Sequence, residues 1–175
     1  MKIPEVSIIL SCFNEAATIE QCIRDVAAAL PEAEIVVVHG GHDATLDIAR
    51  RLAGELPQVI PVRNENDRGK GHGIKTGVAR ARTAVMAQFD ADLQFAAADL
   101  PALVAPVRRG ECDLVIGSRF LPGSDCTGYR PSFFRDAGNR LLSWFVGVLI
   151  GRRLTDVTTG SKAWTRAAIE QIAFQ

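Results

Sequence analysis

No charge of one sign prevails in this sequence: 20 basic side chains stand against 20 acidic ones, for a formal net charge of zero. That balance removes the sequence-independent attraction to phosphate polymers on which non-specific nucleic-acid binders depend, so no nucleic-acid partner is expected and any basic site is local. The four cysteines, at 12, 22, 112 and 126, form no C-x-x-C pair. This excludes a zinc ribbon and a dithiol redox motif, and it suits reduced thiols in a cytoplasmic protein. There is no run of about 20 apolar residues, the length a bilayer-spanning helix needs. A secretory signal is missing too, because the N-terminal apolar run follows a single lysine and is interrupted by Asn14 and Glu15. Internal repeats, low-complexity tracts and linkers are also lacking. What is present is 175 residues, 47% apolar and 23% charged, which is the profile of one globular domain over 1–175 with its own core.

Short β-branched runs alternate with helical patterns, the rhythm of an α/β fold with a mostly parallel, buried sheet flanked by helices. Strands are expected at about 6–12, 34–39, 58–63, 85–90 and 113–118, with ends uncertain by roughly two to four residues. Ile19, Ile23, Val26 and Leu30 keep a 3.6-residue stripe that Pro31 ends, giving a first helix from about Glu15. A second helix follows Asp43, a third follows the glycine-rich stretch at 69–73, and a fourth runs from Asp99 to Arg109 before Gly110. The run Leu141–Gly151 is apolar except for Ser143, with Arg135 and Arg140 before it and Arg152 and Arg153 after it. It reads as a helix buried against the sheet. The competing reading is a helix resting at a membrane interface with arginines toward lipid headgroups.

The most informative stretch is V-M-A-Q-F-D-A-D-L-Q at 85–94, an apolar strand running into Asp90 and Asp92. Residues two apart on extended chain project to the same side, so both carboxylates can face one ligand. Carboxyl ends of parallel strands are where open α/β sheets bind ligands, and hard oxygen donors suit Mg²⁺ or Mn²⁺. An ordinary solvated strand end would carry the same three letters. Gly69, Gly71 and Gly73 allow close backbone approach to a ligand, and Lys70 adds a point charge suited to phosphate. This is not a Walker loop, since Lys70 is followed by Gly71, and it does not match G-x-G-x-x-G. The same letters also fit a plain loop before a helix.

Several ordered motifs together resemble the catalytic domain of the family 2 inverting glycosyltransferases, with the GT-A nucleotide-sugar-binding fold, and within them the polyprenyl- or dolichyl-phosphate sugar transferases. S-C-F-N-E at 11–15 is similar to the family's aromatic-Asn-Glu turn beside the nucleotide, and G-K-G-H-G at 69–73 to its Gly-Lys-Gly signature. D-A-D-L-Q at 90–94 resembles its metal site, G-S-R-F at 117–120 a phosphate-side segment, and D-V-T-T-G at 156–160 an acceptor-side loop. The resemblance implies that Asp90, Asp92 and Gln94 hold Mg²⁺ or Mn²⁺, with Asp92 also counted among the catalytic residues. It further implies that Phe13, Glu15, Asp43, Lys70 and Arg119 line a UDP- or GDP-sugar donor, and that the acceptor is a polyprenyl phosphate. Arg130 and Arg135, ahead of the apolar helix, are candidates for gripping the lipid phosphate at the cytoplasmic face of a membrane. A phosphate monoester acceptor is already ionised near neutral pH and needs no strong base. A hydroxyl acceptor would need one, with Asp156 as the candidate; the alternative for Asp156 is a turn acid before T-T-G.

Three departures from that pattern matter. The second strand ends V-V-V-H-G-G-H-D-A-T, with His39 and Gly40 where the family carries consecutive aspartates, one of which accepts a hydrogen bond from the nucleobase. Asp43 and Thr45 still match. Either the base pocket is altered, or the chain is a degenerate, non-catalytic nucleotide-sugar binder with the same fold. His39 and His42 read as polar loop residues rather than metal ligands for want of a third ligand. A dinucleotide oxidoreductase is the remaining alternative and lacks its glycine fingerprint after the first strand. The proline expected shortly after the metal motif is replaced by F-A-A-A-D at 95–99. Finally, A-A-I-E-Q-I-A-F-Q reads as a helix still in progress, so a shortened domain is expected, with an acceptor wall and a membrane anchor outside this sequence.

Overall fold

Ile8, Ile9 and Leu10 alternate between the two faces of a sheet, and all three are fully buried. They belong to β1 (Val6–Cys12), near the centre of a six-stranded sheet in a computed structural model that describes residues 5–121 and 132–172. The other strands are β2 (Glu34–His39), β3 (Val59–Arg63), β4 (Val85–Gln88), β5 (Leu114–Ile116) and β6 (Lys162–Thr165). Their spatial order is β3-β2-β1-β4-β6-β5. The first four strands run parallel, and β6 pairs antiparallel with both β4 and β5. The expected α/β architecture with a mostly parallel sheet is what the chain forms.

Helices α1 (Ile19–Ala29), α2 (Thr45–Glu55) and α4 (Leu100–Arg108) close the larger core. There Ile19, Ile23, Val26, Leu52, Leu103 and Val104 pack with Ile8, Leu10, Ile35 and Val37. On the opposite face, Ile9, Met86, Trp164 and Ile169 meet α3 (Lys70–Arg80) and α6 (Arg166–Gln171). The chain builds β1, β2 and β3 outward in one direction and then returns past β1 to form β4. This reversal opens a crevice at the carboxyl ends of β1 and β4.

Four expectations are revised. Strand β6 was not foreseen: four residues, K-A-W-T, carry too little pattern, and their pairing partners lie far away in sequence. The glycine-rich segment forms the first turn of α3 rather than a loop before it, and Gly73 lets that helix approach the Ser11 side chain. Strand β4 stops at Gln88, so Asp92 sits in a turn, followed by Leu93 at φ 59°, and not on extended chain. The apolar segment forms α5 (Phe133–Ile150) but is not buried. Only Ser143 and Gly147 face inward, while Leu141, Trp144, Phe145, Val148, Leu149 and Ile150 are exposed. The helix is inside-out because its small residues dock on the following loop: Val157 N–H donates to Ser143 Oγ at 3.0 Å and Arg152 N–H to the Gly147 carbonyl at 2.9 Å. No helix among the described residues is long and apolar enough to cross a membrane. Of the cysteines, Cys12, Cys22 and Cys112 are unpaired thiols; Cys126 lies outside the described residues.

One buried charge pins the far end of the sheet. Glu34 accepts hydrogen bonds from Ser7 Oγ at 2.5 Å, from Arg82 N–H at 2.6 Å and from Arg82 Nε at 2.9 Å. Burial alone would raise its pKa, but those donors and the guanidinium charge outweigh burial and hold the carboxyl below the usual range. The unfolded chain therefore takes up this proton more readily than the folded one. Its stabilisation is complete above an ordinary Glu pKa of about 4.3 and drains away as pH falls through the lower folded value. Glu34→Ala is expected to lower unfolding free energy by about 2 kcal/mol near neutral pH, because it strands buried donors, and to flatten this acid limb. Urea denaturation across pH 3–7 checks both.

Candidate active site

The crevice predicted by the strand order is a cleft of about 560 Å³. Its walls come from the carboxyl ends of all four parallel strands: Ser11 to Phe13 and Glu15 after β1, Gly40 after β2, Asn64, Asp67 and Lys70 after β3, and Asp90 to Asp92 after β4. Phe13, Glu15, Lys70, Asp90 and Asp92, named from the sequence, are thus brought together. Phe13 is exposed at the rim.

Charge at the β4 end is tightly organised. Lys70 Nζ lies 2.6 Å and 2.7 Å from the two oxygens of Asp90. Asp92 accepts the Gln94 backbone N–H at 3.1 Å; burial, together with the negative charge of Asp90, raises its pKa. Burial also raises the pKa of Glu15, and the carboxylates of Asp92, Asp43 and Asp90 add to the shift. Gly160, from the loop before β6, approaches so closely that a β carbon there would strike the Asp90 carboxylate. Lys162 on β6 is a cation that sequence reasoning missed. It donates to the Thr159 carbonyl at 2.8 Å, and burial plus the charge of Lys70 lowers its pKa.

The rim is knitted by side chains of the loops after β1 and β2, among them Asp43, which the motifs assign to the nucleotide. Asn14, at φ 58°, accepts from His42 N–H at 2.9 Å. Asp43 accepts from Ala16 N–H at 2.9 Å and from Thr45 Oγ1 at 2.6 Å, while Thr45 Oγ1 accepts from Glu15 N–H at 2.9 Å. Asp43 thereby ties the β1 and β2 loops together and is not among the cleft-lining residues. His39 is fully buried beneath this turn, 3.2 Å from Asp43 Oδ1 and 3.4 Å from Arg63 Nη1. Burial and the Arg63 charge lower its pKa against the pull of Asp43, so the imidazole is neutral near pH 7.

Arg119 and Asp156 form one unit outside the cleft. Arg119 Nε and Nη2 donate to Asp156 at 2.7 Å and 2.9 Å, and the Arg119 N–H adds a third bond at 3.2 Å. The guanidinium also lies 5.9 Å from the Phe95 ring centroid and 5.7 Å from that of Phe120. Asp156 is buried; that alone would raise its pKa, but Arg119 and Thr158 prevail and lower it. Its oxygens are thus committed to orienting Arg119 and are poorly available as a base. Gln94 contributes its backbone N–H to Asp92 and is not among the cleft-lining residues. Arg135 lies in the first turn of α5, away from the cleft, and Arg130 is outside the described residues.

Residues 7–171 match the family description Glycosyl transferase family 2. The chain belongs to that family. Family membership accounts for nearly the whole sequence, and relatives extend it. A low-salt glycan biosynthesis hexosyltransferase of Haloferax volcanii is 31% identical over 95% of this chain and 40% of its own length. An undecaprenyl-phosphate mannosyltransferase of Micrococcus luteus is 29% identical over 94% of this chain and 68% of its own length. A glycosyltransferase from the same Haloferax is 33% identical over 96% of this chain and 28% of its own, so the chain spans well under half of both haloarchaeal relatives. Among solved structures, the glucosyl-3-phosphoglycerate synthase of Mycobacterium tuberculosis, in complex with Mn²⁺, UDP-glucose and glycerol 3-phosphate, superposes with a TM-score of 0.70. It is 22% identical over 94% of this chain and 57% of that one. The fold is therefore the GT-A type expected from the motifs.

The close approach at Gly160 gives a direct test of how tightly the family's acidic motif is held here. Gly160→Ala forces the Asp90 carboxylate aside, and a misplacement of about 1 Å costs a functional group roughly a hundredfold. Binding of nucleoside diphosphates in the presence of Mn²⁺, followed by calorimetry, is expected to weaken at least tenfold while the thermal midpoint moves little; unchanged binding would show that Asp90 needs no fixed position.

Proposed function

We propose that this domain transfers a sugar from a nucleoside diphosphate donor to a polyprenyl-phosphate acceptor, inverting the anomeric carbon. The observation that carries the reading is the convergence of Asp90, Asp92 and Lys70 at one end of a cleft open to the carboxyl ends of β1 and β4. The undecaprenyl-phosphate mannosyltransferase relative supports the acceptor class. Mg²⁺ or Mn²⁺ suits the donor set: the two carboxylates are hard oxygen ligands, and such ions complete their shell with substrate phosphates and water. The pKa of Asp92, raised by burial and by the Asp90 charge, fits as well, since an added cation would offset both. Asp90 and Asp92 would hold the ion; bound there, it would supply Lewis-acid neutralisation of the leaving diphosphate.

The chain's own groups divide the remaining work. Lys70, paired with Asp90, brings an ammonium to the same diphosphate, and Phe13 offers an aromatic face at the rim. Arg119, oriented by Asp156 beside the cleft, would add a guanidinium charge on the phosphate side, as its motif implies. A polyprenyl phosphate arrives ionised, so the reading needs no base and agrees with Asp156 being committed to Arg119. A non-catalytic nucleotide-sugar binder is the second reading, motivated by the inward-turned His39. The two separate in one assay: nucleoside diphosphate release from a panel of nucleotide sugars with Mn²⁺, with and without polyprenyl phosphate. The transferase reading expects acceptor-dependent release that Asp92→Ala lowers by roughly a hundredfold or more, the scale of losing one electrostatic stabiliser. Binding without release from any donor overturns it.

The inside-out helix α5 belongs to the same reading. Its apolar outer face, flanked by Arg140, Arg152 and Arg153, suits a lipid surface with anionic headgroups, which would hold the domain at the cytoplasmic face where a lipid-linked acceptor resides. Each large side chain seated in lipid contributes about 1.5–3 kcal/mol. Trp144→Glu with Leu149→Glu is therefore expected to cut cosedimentation with phosphatidylglycerol-containing vesicles more than tenfold without unfolding the protein, since both side chains are exposed. Undiminished vesicle binding removes the helix from that role.

A further inference from the structure

A nucleotide gripped by its diphosphate at the β4 end has only one direction in which to lie along this cleft. Neighbouring strands are about 4.8 Å apart, so β2 is about 10 Å from β4, and the cleft runs that way to Gly40, Asn64 and Asp67. The base must therefore meet the loops after β2 and β3. The side chain at the tip of β2 does not face it, because His39 is fully buried and residue 40 is glycine. Yet a carboxylate is there. Asp67 Oδ2 lies 2.5 Å from the point where a β carbon on residue 40 would stand, and the Asp67 β carbon lies 2.7 Å from it. The loop after β3 has delivered an acid into the space that a side chain at the tip of β2 would otherwise fill.

That acid is held in place. Thr76 Oγ1 donates to Asn64 Oδ1 at 2.8 Å, and Asn64 Nδ2 donates to Asp67 Oδ1 at 2.5 Å. Asn64 is itself buried, and its N–H is fixed on the His39 carbonyl at 2.9 Å. His72 Nδ1 stands 3.8 Å from the same Oδ1. Oδ1 is thus engaged on the protein side, and Oδ2 is turned toward residue 40.

We infer that Asp67 is the base-recognition residue of this cleft, accepting the ring imide N–H of the donor's nucleobase in place of a side chain at residue 40. The inference rests on the nucleotide-donor reading above and assigns the base that reading leaves open. A carboxylate accepts and cannot donate, so it selects bases whose ring nitrogen carries a proton, uracil N3–H or guanine N1–H, over cytosine and adenine, whose ring nitrogens there are acceptors. With one oxygen already taken by Asn64, the single N–H of uracil matches better than the paired donors of guanine.

The test is calorimetric titration with Mn²⁺ of UDP against 3-methyl-UDP, and of GDP against 1-methyl-GDP. Wild-type protein is expected to prefer the unmethylated nucleotide of one pair by about tenfold to a hundredfold, the range for a hydrogen bond to a charged acceptor. Asp67→Ala should erase that ratio. Gly40→Asp alone should bind poorly because its new side chain collides with Asp67, whereas Gly40→Asp combined with Asp67→Ala should restore the ratio by returning the acid to the tip of β2. Reading a ratio within each variant removes any general loss of folded protein, and the restored double variant excludes a purely structural role for Asp67. A wild type that binds UDP or GDP but ignores N-methylation in both pairs overturns this inference and leaves the transferase reading standing, as does an Asp67→Ala protein that keeps the ratio. A wild type that binds no nucleoside diphosphate at all overturns both.

Discussion

Two carboxylates crowded at the tip of one strand repel each other unless positive charge stands beside them, and the architecture around β4 answers that constraint. Lys70 is carried to Asp90 by the first turn of α3, which can lie low over the sheet because Gly73 leaves room above Ser11. The loop before β6 presses a bare glycine against the same carboxylate and brings Lys162 within electrostatic reach. Even so, burial of Asp92 and the charge of Asp90 raise the Asp92 pKa. A site built in this way favours the arrival of further positive charge together with a polyanion to share it. That is the electrostatic logic behind the proposed handling of a diphosphate.

Rigidity at the opposite end of the cleft comes from hydrogen bonds between loops. Asn14, Asp43 and Thr45 cross-connect the turns after β1 and β2, and Arg63 closes the bracket by donating to the Gly41 carbonyl at 2.6 Å. The imidazole of His39 fills the space beneath. Histidine at the tip of β2 is thus turned to the protein's side of the turn and leaves no side chain there on the cleft side. The carboxylate beside Gly40 comes instead from the loop after β3, where Asp67 stands.

Helix α5 follows the opposite rule from the others. Helices α1, α2 and α4 bury their large apolar residues, whereas α5 turns Ser143 and Gly147 inward and its leucines and aromatics outward. The close seat of Gly147 against the Arg152 carbonyl explains why the small face must be the inner one. Apolar content alone does not choose a face; the side that can approach the backbone of the next loop does.

From the residues alone came the α/β rhythm and the strands β1 to β5 within a few positions, because periodicity is a property of neighbouring residues in the chain; the gathering of Phe13, Glu15, Lys70, Asp90 and Asp92 came from the resemblance to a family. The reason given for the acidic pair was incomplete, since Asp92 reaches the cleft through a turn rather than along an extended strand. Strand β6, the pairing of Arg119 with Asp156 across 37 positions, the outward face of α5 and the meeting of Asp67 with Gly40 were decided only by tertiary structure. Each of these depends on which segments the sheet order brings side by side, and that order is set by long-range packing that no local stretch of sequence spells out.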